Sequence, residues 1–203
     1  MISLHKKKAL HSDKRGATVV EFGIVAPTFL MLLIGSFDLG HTVYMQSVLK
    51  GAVLESARLS TLESATSTLT SIDRLVENRV ATITPSATVS FERKSYFEFT
   101  DIDRPEAFED EADINGVKNG VYDPGECFSD ENGNGQWDSD VGKEGIGGPN
   151  DIVLYTVTAE YQSLFPLYSM IGIDGKKTVV AETVLRNQPY GEEGSATVTR
   201  LCT

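Results

Sequence analysis

A basic leader ending in Lys14-Arg15-Gly16 runs straight into an apolar stretch, Ala17 to Phe37, in which Glu21 is the only ionisable side chain. As a helix these 21 residues would rise ~30 Å, enough to cross a bilayer core. A carboxylate in hydrocarbon costs about 3 kcal/mol on insertion scales, so Glu21 needs a partner. Lys6, Lys7, Lys8, Lys14 and Arg15 precede the stretch, whereas Asp38 follows it and Lys50 is the next base. That asymmetry predicts a cytoplasmic leader and an exported remainder. A secretory signal peptide fits poorly, because its apolar core should run ~7 to 15 residues and Gly35-Ser36-Phe37 is a poor cleavage context. An uncleaved signal anchor, with Gly16 an incidental small residue, stays open.

Gly16, then Ala17 as a new first residue and Glu21-Phe22 at positions five and six, resembles the processing site of type IV prepilins and pseudopilins. Glu21-Phe22, followed by Ile24-Val25-Ala26-Pro27 and a leucine-rich run, is similar more narrowly to the TadE-like pseudopilins of tight-adherence (Flp) pilus systems. Ala52 to Arg58 and the ending Glu182 to Tyr190, with its Asn187-Gln188-Pro189-Tyr190, extend the likeness to both ends of the chain. The resemblance implies cleavage after Gly16 by a prepilin peptidase. It also implies that Glu21 pairs with a neighbouring subunit's N-terminal amine, and that the chain meets other pilin subunits and an inner-membrane assembly platform. The implied protein is a minor pseudopilin, single-pass in the inner membrane with a periplasmic C-terminal domain, and incorporated into a surface pilus or acting at its base.

The residues outside the membrane suffice for one domain with a modest core. From His41 to about Ile83, residues such as Val43, Ser47, Gly51, Leu54, Ala57 and Leu62 recur at helical spacing, and the first proline after Pro27 is Pro85. A helix extension over 39–84 is expected, loosened where Ser64 to Ser71 compete for local backbone bonds. Strand character follows in Thr88–Glu92, Tyr96–Phe99, Asp151–Tyr161 and Thr178–Arg186, with a short apolar turn or helix at Leu164–Ile171. The expected fold is α+β and pilin-like: a leader over 1–16, a membrane helix over 17–38 and its amphipathic extension pack on a small antiparallel sheet. The β-rich part would span 85–190 with an irregular acidic insert at 101–150, leaving a tail at 191–203.

Residues 98–144 hold fifteen Asp/Glu against three Lys/Arg, more negative than the whole chain's net charge of -11, which argues against nucleic acid as a partner. Within this window Asp130-Glu-Asn132-Gly133-Asn134-Gly135-Gln136-Trp137-Asp138 places oxygen ligands on alternate residues and glycine at position six, as a Ca²⁺ loop requires. Position twelve is Val141, so Asp140, Glu126 or Glu144 would have to complete the shell. A looser first copy contains Asp113, Asn115, Asn119, Gly120, Asp123 and Glu126, with Asn115 starting the count. The competing reading is that Asn-Gly pairs simply make tight turns in a solvated loop. With Ca²⁺ bound the insert would order, and without it the acids would repel one another.

Cys127 and Cys202 both fall on the exported side, where a disulfide is permitted and expected; a free Cys202 in a frayed tail is the alternative. Catalytic constellations are missing: His5 and His11 fall in the leader, His41 stands alone near the membrane, and no phosphate-cradling loop occurs. No enzymatic activity is therefore expected. A membrane-anchored, uncleaved calcium-dependent adhesion protein is the alternative function, and a metal-dependent surface hydrolase a third.

Overall fold

The computed structural model describes residues 16–60, 69–112, 117–165, 168, 172, 174–188 and 198–202. It divides into two units, Met1–Tyr44 with Ser163–Gly175, and Met45–Gln162 with Lys176–Thr203. Helix α1 (Ala17–Ser60) starts directly after Gly16 and carries Pro27 within it.

In the first unit, α1 is apolar with exposed side chains. Val19, Phe22, Ile24, Val25, Phe29 and Leu32 are each more than half exposed, and the most apolar 18-residue window, of mean hydropathy 1.9, is not buried at all. So large an uncovered apolar surface needs lipid or other apolar helices around it. The helix satisfies its own polar side chains where it can. Ser36 Oγ donates to Leu32 O at 2.6 Å and Thr42 Oγ1 to Asp38 O at 2.9 Å, each one turn back. Asp38 is buried and its carboxylate accepts from Leu164 N–H at 3.3 Å, while Ser163 N–H donates to Gly175 O and closes the 163–175 connection.

In the second unit a helical layer covers one face of a sheet. Met45, Leu49, Ala52 and Val53 form a stripe on α1 at i, i+4, i+7 and i+8, and helix α2 (Leu69–Ile83) adds Val76 and Val80 one turn apart. The sheet has the order β3-β1-β4-β5, all antiparallel: β1 (Thr88–Tyr96), β3 (Lys143–Glu144), β4 (Ile152–Gln162) and β5 (Lys176–Arg186). Strand alternation selects the inner face. Val153, Tyr155, Val157, Ala159 and Tyr161 of β4 are buried, and the register sets Phe91 and Ala181 on either side of Val157. Asp73 ties α2 to the sheet, accepting from Tyr155 Oη at 2.9 Å and from the Arg93 guanidinium, which also lies 4.5 Å from the centre of the Tyr155 ring.

The α+β, pilin-like architecture expected from the sequence is present. Details differ. The helical stretch to residue 83 is described as α1 and α2, and the Ser/Thr-rich 61–68, within which the helix is expected to loosen or break, lies outside the described residues. The expected strands at 88–92 and 96–99 are one strand, β1, because Arg93 to Tyr96 continue the pairing with β4, and Phe99–Asp101 is a 3₁₀ turn instead. The tail, to which the sequence assigned no strand, contains strand β6 (Thr199–Cys202), paired with β2 (Cys127–Asp130) in a separate two-stranded sheet. Much of the Leu164–Ile171 turn lies outside the described residues, as does the leader.

Leu49 is fully buried, so Leu49→Ala should destabilise the helix-on-sheet unit by about 2–5 kcal/mol, read from the denaturant midpoint by circular dichroism.

Candidate functional site

Gly16 is exposed, and a Cβ built on it would meet nothing within 4 Å. Among the described residues, packing therefore sets no limit on the side chain at this position. Glu21 and Phe22 lie in the first turns of α1, both exposed, beside the exposed Val19, Val20 and Ile24. The carboxylate thus sits on an apolar helix surface.

The acidic insert is built as two repeats of one pattern. Glu106-Ala107-Phe108-Glu109-Asp110-Glu111 and Glu126-Cys127-Phe128-Ser129-Asp130-Glu131 share Glu-x-Phe-x-Asp-Glu, and each leads to Asn-Gly-x-aromatic-Asp at Asn119–Asp123 and Asn134–Asp138. The two Phe segments pair antiparallel: Glu109 N–H donates to Cys127 O and Ser129 N–H to Ala107 O, both at 2.8 Å. The repeats pack through their rings. Tyr122 and Trp137, at equivalent positions, stack with centroids 4.6 Å apart, and Phe108 meets both edge-on.

Three hydrogen bonds recur in both loops. In the second loop Asp130 Oδ2 accepts from Gly135 N–H at 3.0 Å, and in the first Asp110 Oδ2 accepts from Gly120 N–H at 2.7 Å. Asn134 Oδ1 accepts from Gln136 N–H, as Asn119 Oδ1 does from Val121 N–H. Asn134 Nδ2 donates to Asp138 and Asn119 Nδ2 to Asp123. Gly120 and Gly135 have φ of +73° and +79°, the left-handed region that glycine reaches at no steric cost, so the turn requires them. A buried glutamate then holds each loop. Glu106, fully buried, accepts from Glu131, Asn132 and Asp138 N–H, and Glu126 accepts from Glu111 and Asp123 N–H. Such charge-assisted bonds to backbone N–H are what make a buried carboxylate tolerable.

This geometry changes the reading of the site residues. The first loop opens at Asp110, not Asn115, since Gly120 bonds to Asp110; Asp113 and Asn115 lie outside the described residues. Glu126 faces the first loop, and the buried glutamate facing the second is Glu106, a residue the sequence analysis passed over. Its signal was the repeated Glu-x-Phe-x-Asp-Glu, which lies upstream of the Asn-Gly turns that drew attention. Asp140 turns to the sheet, accepting from Lys94 Nζ at 2.8 Å and Tyr96 Oη at 3.0 Å, and Glu144 is exposed on β3. Among the described residues no three His, Cys, Asp or Glu side chains are placed together as a metal would require. Asn132 and Asn134 turn their amide nitrogens, not their oxygens, to Asp138. Asp110 Oδ1 is buried and lacks a hydrogen-bond partner among the described residues.

Cys127 and Cys202 are directly opposed in the β2–β6 ladder and form a disulfide. The bridge closes a loop with a sequence separation of 75, worth about 4.5 kcal/mol in the chain-entropy treatment. Arg200 reinforces the attachment with two bonds to Glu109 at 2.8 and 2.7 Å, which hold the Glu109 carboxyl below the usual carboxylate range. At the other end, Arg104 joins Asp101 to Glu131, and Val141 N–H donates to Arg104 O.

A long apolar N-terminal helix on an antiparallel sheet is the arrangement of the pilin class. Residues 16–58, from the glycine through most of α1, match the family of TadE-like proteins, so this segment is a TadE-like domain. No curated protein and no solved structure matches the chain. The sheet and the acidic insert lie beyond the matched segment.

Burial would raise the Asp140 carboxyl, but hydrogen bonds from Lys94, Gly142 N–H and Tyr96 outweigh it and hold it below its ordinary value. A depressed carboxylate contributes stability above its unfolded pKa and loses it as pH falls through the folded one. The stability gap between the wild type and Asp140→Asn should therefore be full at neutral pH and close as pH drops below about 4, as measured by denaturant titration at each pH.

Proposed function

We propose that the chain is a minor pseudopilin of a tight-adherence pilus machinery, anchored by a single membrane pass and processed between Gly16 and Ala17. The observation that carries this reading is the TadE-like match over 16–58, which begins at the processing glycine and ends within α1. Such proteins serve pilus biogenesis as structural subunits, not as enzymes. Three features support it. The helix shows an apolar surface that hydrocarbon or neighbouring helices must cover, Gly16 is not required by the chain's own packing, and Glu21 lies five residues on. A glycine with no internal role suits a position read by a peptidase.

Glu21 then docks the subunit. In a bundle of such helices its carboxylate would be costly unless a cation met it, and the amine freed at Ala17 of a neighbour supplies one. The membrane, the prepilin peptidase, the assembly platform and sister subunits are the partners. Edman sequencing of membrane-extracted protein should begin at Ala17, and replacing Gly16 by a large residue should retain the leader. Glu21→Ala should leave cleavage intact yet abolish most assembly into sheared surface fibres; normal piliation in this variant would remove the docking role.

The insert, in this reading, takes up Ca²⁺ outside the membrane. Support comes from two loops with the same side-chain-to-backbone turns and from the unpartnered oxygen of Asp110. Ion entry would require the Asn132 and Asn134 amides to turn their oxygens inward, releasing Asp138 as a ligand. Trp137 reports on this directly, since its indole N–H donates to Glu106 O at 3.0 Å. Its fluorescence should change on titration to millimolar Ca²⁺ and the change should vanish in Asp130→Ala; a flat titration would dismiss the ion.

A further inference from the structure

We infer that the two acidic loops are interlocked and order as one unit, each held by the glutamate that begins the other repeat. The exchange is reciprocal. Glu106 opens the first repeat yet accepts the N–H groups of Glu131, Asn132 and Asp138 in the second loop, at 2.8, 3.4 and 3.1 Å. Glu126 opens the second repeat yet accepts those of Glu111 and Asp123 in the first loop, at 2.7 and 2.9 Å. The equivalences are exact in position: Glu111 matches Glu131, and Asp123 matches Asp138. The two repeats thus close on each other, and neither is complete alone.

Both glutamates are buried, at 0% and 5% exposure, so each loop amide that lets go leaves a carboxylate in a low-dielectric site with fewer donors. Neither glutamate can swing to solvent on its own. Glu106 N–H donates to Asp138 O and Glu126 N–H to Asp123 O, so the backbone that carries each glutamate is itself pinned to the loop its side chain holds. Glu106 and Glu126 are also two residues before Phe108 and Phe128, the bridged pair at the centre of the insert, whose rings contact Tyr122 on either side. Opening the first loop frees Glu126 and shifts Tyr122. That disturbs the Tyr122–Trp137 stack and with it the Trp137 bond to Glu106, the clasp of the second loop.

The consequence is a two-loop switch with no stable half-ordered form: whatever loosens or tightens one loop acts on both. The inference does not depend on Ca²⁺. It predicts that an ion entering either loop would favour the other, because the ordering has already been done.

Hydrogen exchange on the full-length, oxidised protein in detergent tests it, reading loop amides against those of β4 and β5. Glu126→Gln touches only first-loop amides directly. Exchange at Glu111 and Asp123 should rise, and exchange at Gly133, Gly135 and Asp138 in the second loop should rise with it, by about tenfold, while β4 and β5 keep their protection. Glu106→Gln should give the mirror result, with Gly120, Val121 and Asp123 following the second loop. Should either variant unfold β4 and β5 as well, the exposed Asn119→Ala decides: it removes only the first loop's own bonds, and second-loop exchange should still rise. Loosening confined to the loop that carries the altered bonds would overturn the interlock, as would unchanged exchange in both. A flat Ca²⁺ titration with coupled exchange would remove the ion and leave the interlock standing.

Discussion

One helix, α1, carries two different apolar patterns along its length, and the rest of the structure depends on where one gives way to the other. From Thr18 to Phe37 most of its apolar groups are exposed among the described residues, the kind of surface that lipid or like helices cover. From Met45 onward the apolar groups narrow to one stripe, and that stripe is covered by Val157, Ala159 and the neighbouring sheet residues. The change from a broadly exposed apolar surface to a stripe marks where the sheet begins to cover the helix. Asp38, buried and bonded to Leu164 N–H, and Thr42, bonded back to Asp38 O, lie in the interval between the two regimes.

The insert is governed by a different constraint, the cost of buried carboxylates. A window so negative would be expected to stay solvated, yet Glu106, Glu126 and Asp130 are almost fully buried. Backbone N–H groups donate to all three: each glutamate accepts at least two, and Asp130 accepts from Gly133 and Gly135. The arginines and lysines are used at the periphery instead. Arg104 with Glu131, Arg200 with Glu109 and Lys94 with Asp140 fasten the insert to its own ends, to the tail and to β1. With the Cys127–Cys202 bridge, these fastenings make the insert a braced part of the domain despite its irregular backbone.

Much of this was legible in the chain. The membrane-length helix, the α+β order and the strands expected at 151–161 and 178–186, found at 152–162 and 176–186, follow from local hydrophobic patterning, which needs no knowledge of what packs where. Sequence reasoning ran Tyr96–Phe99 on as a separate strand because aromatic residues favour strands. The register with β4, which ends at Tyr96 opposite Ile152, overrides that preference. Counting the first acidic loop from Asn115 puts Asn119, Gly120, Asp123 and Glu126 at positions five, six, nine and twelve, although the residue that receives Gly120 N–H is Asp110, earlier in the chain. Spacing rules of fixed length cannot detect an acceptor displaced by an insertion.

Alone, the sequence determined that an apolar helix of membrane length, a sheet and an acidic insert belong to the chain, because these depend on composition and on periods of two and 3.6 residues. Only the tertiary structure decided which glutamate serves which loop, that Asp140 belongs to the sheet, and that the tail is a strand beside Cys127. Those outcomes are settled by contacts between residues far apart in the chain: the antiparallel pairing of Phe108 with Phe128 carries each repeat's glutamate across to the other's loop.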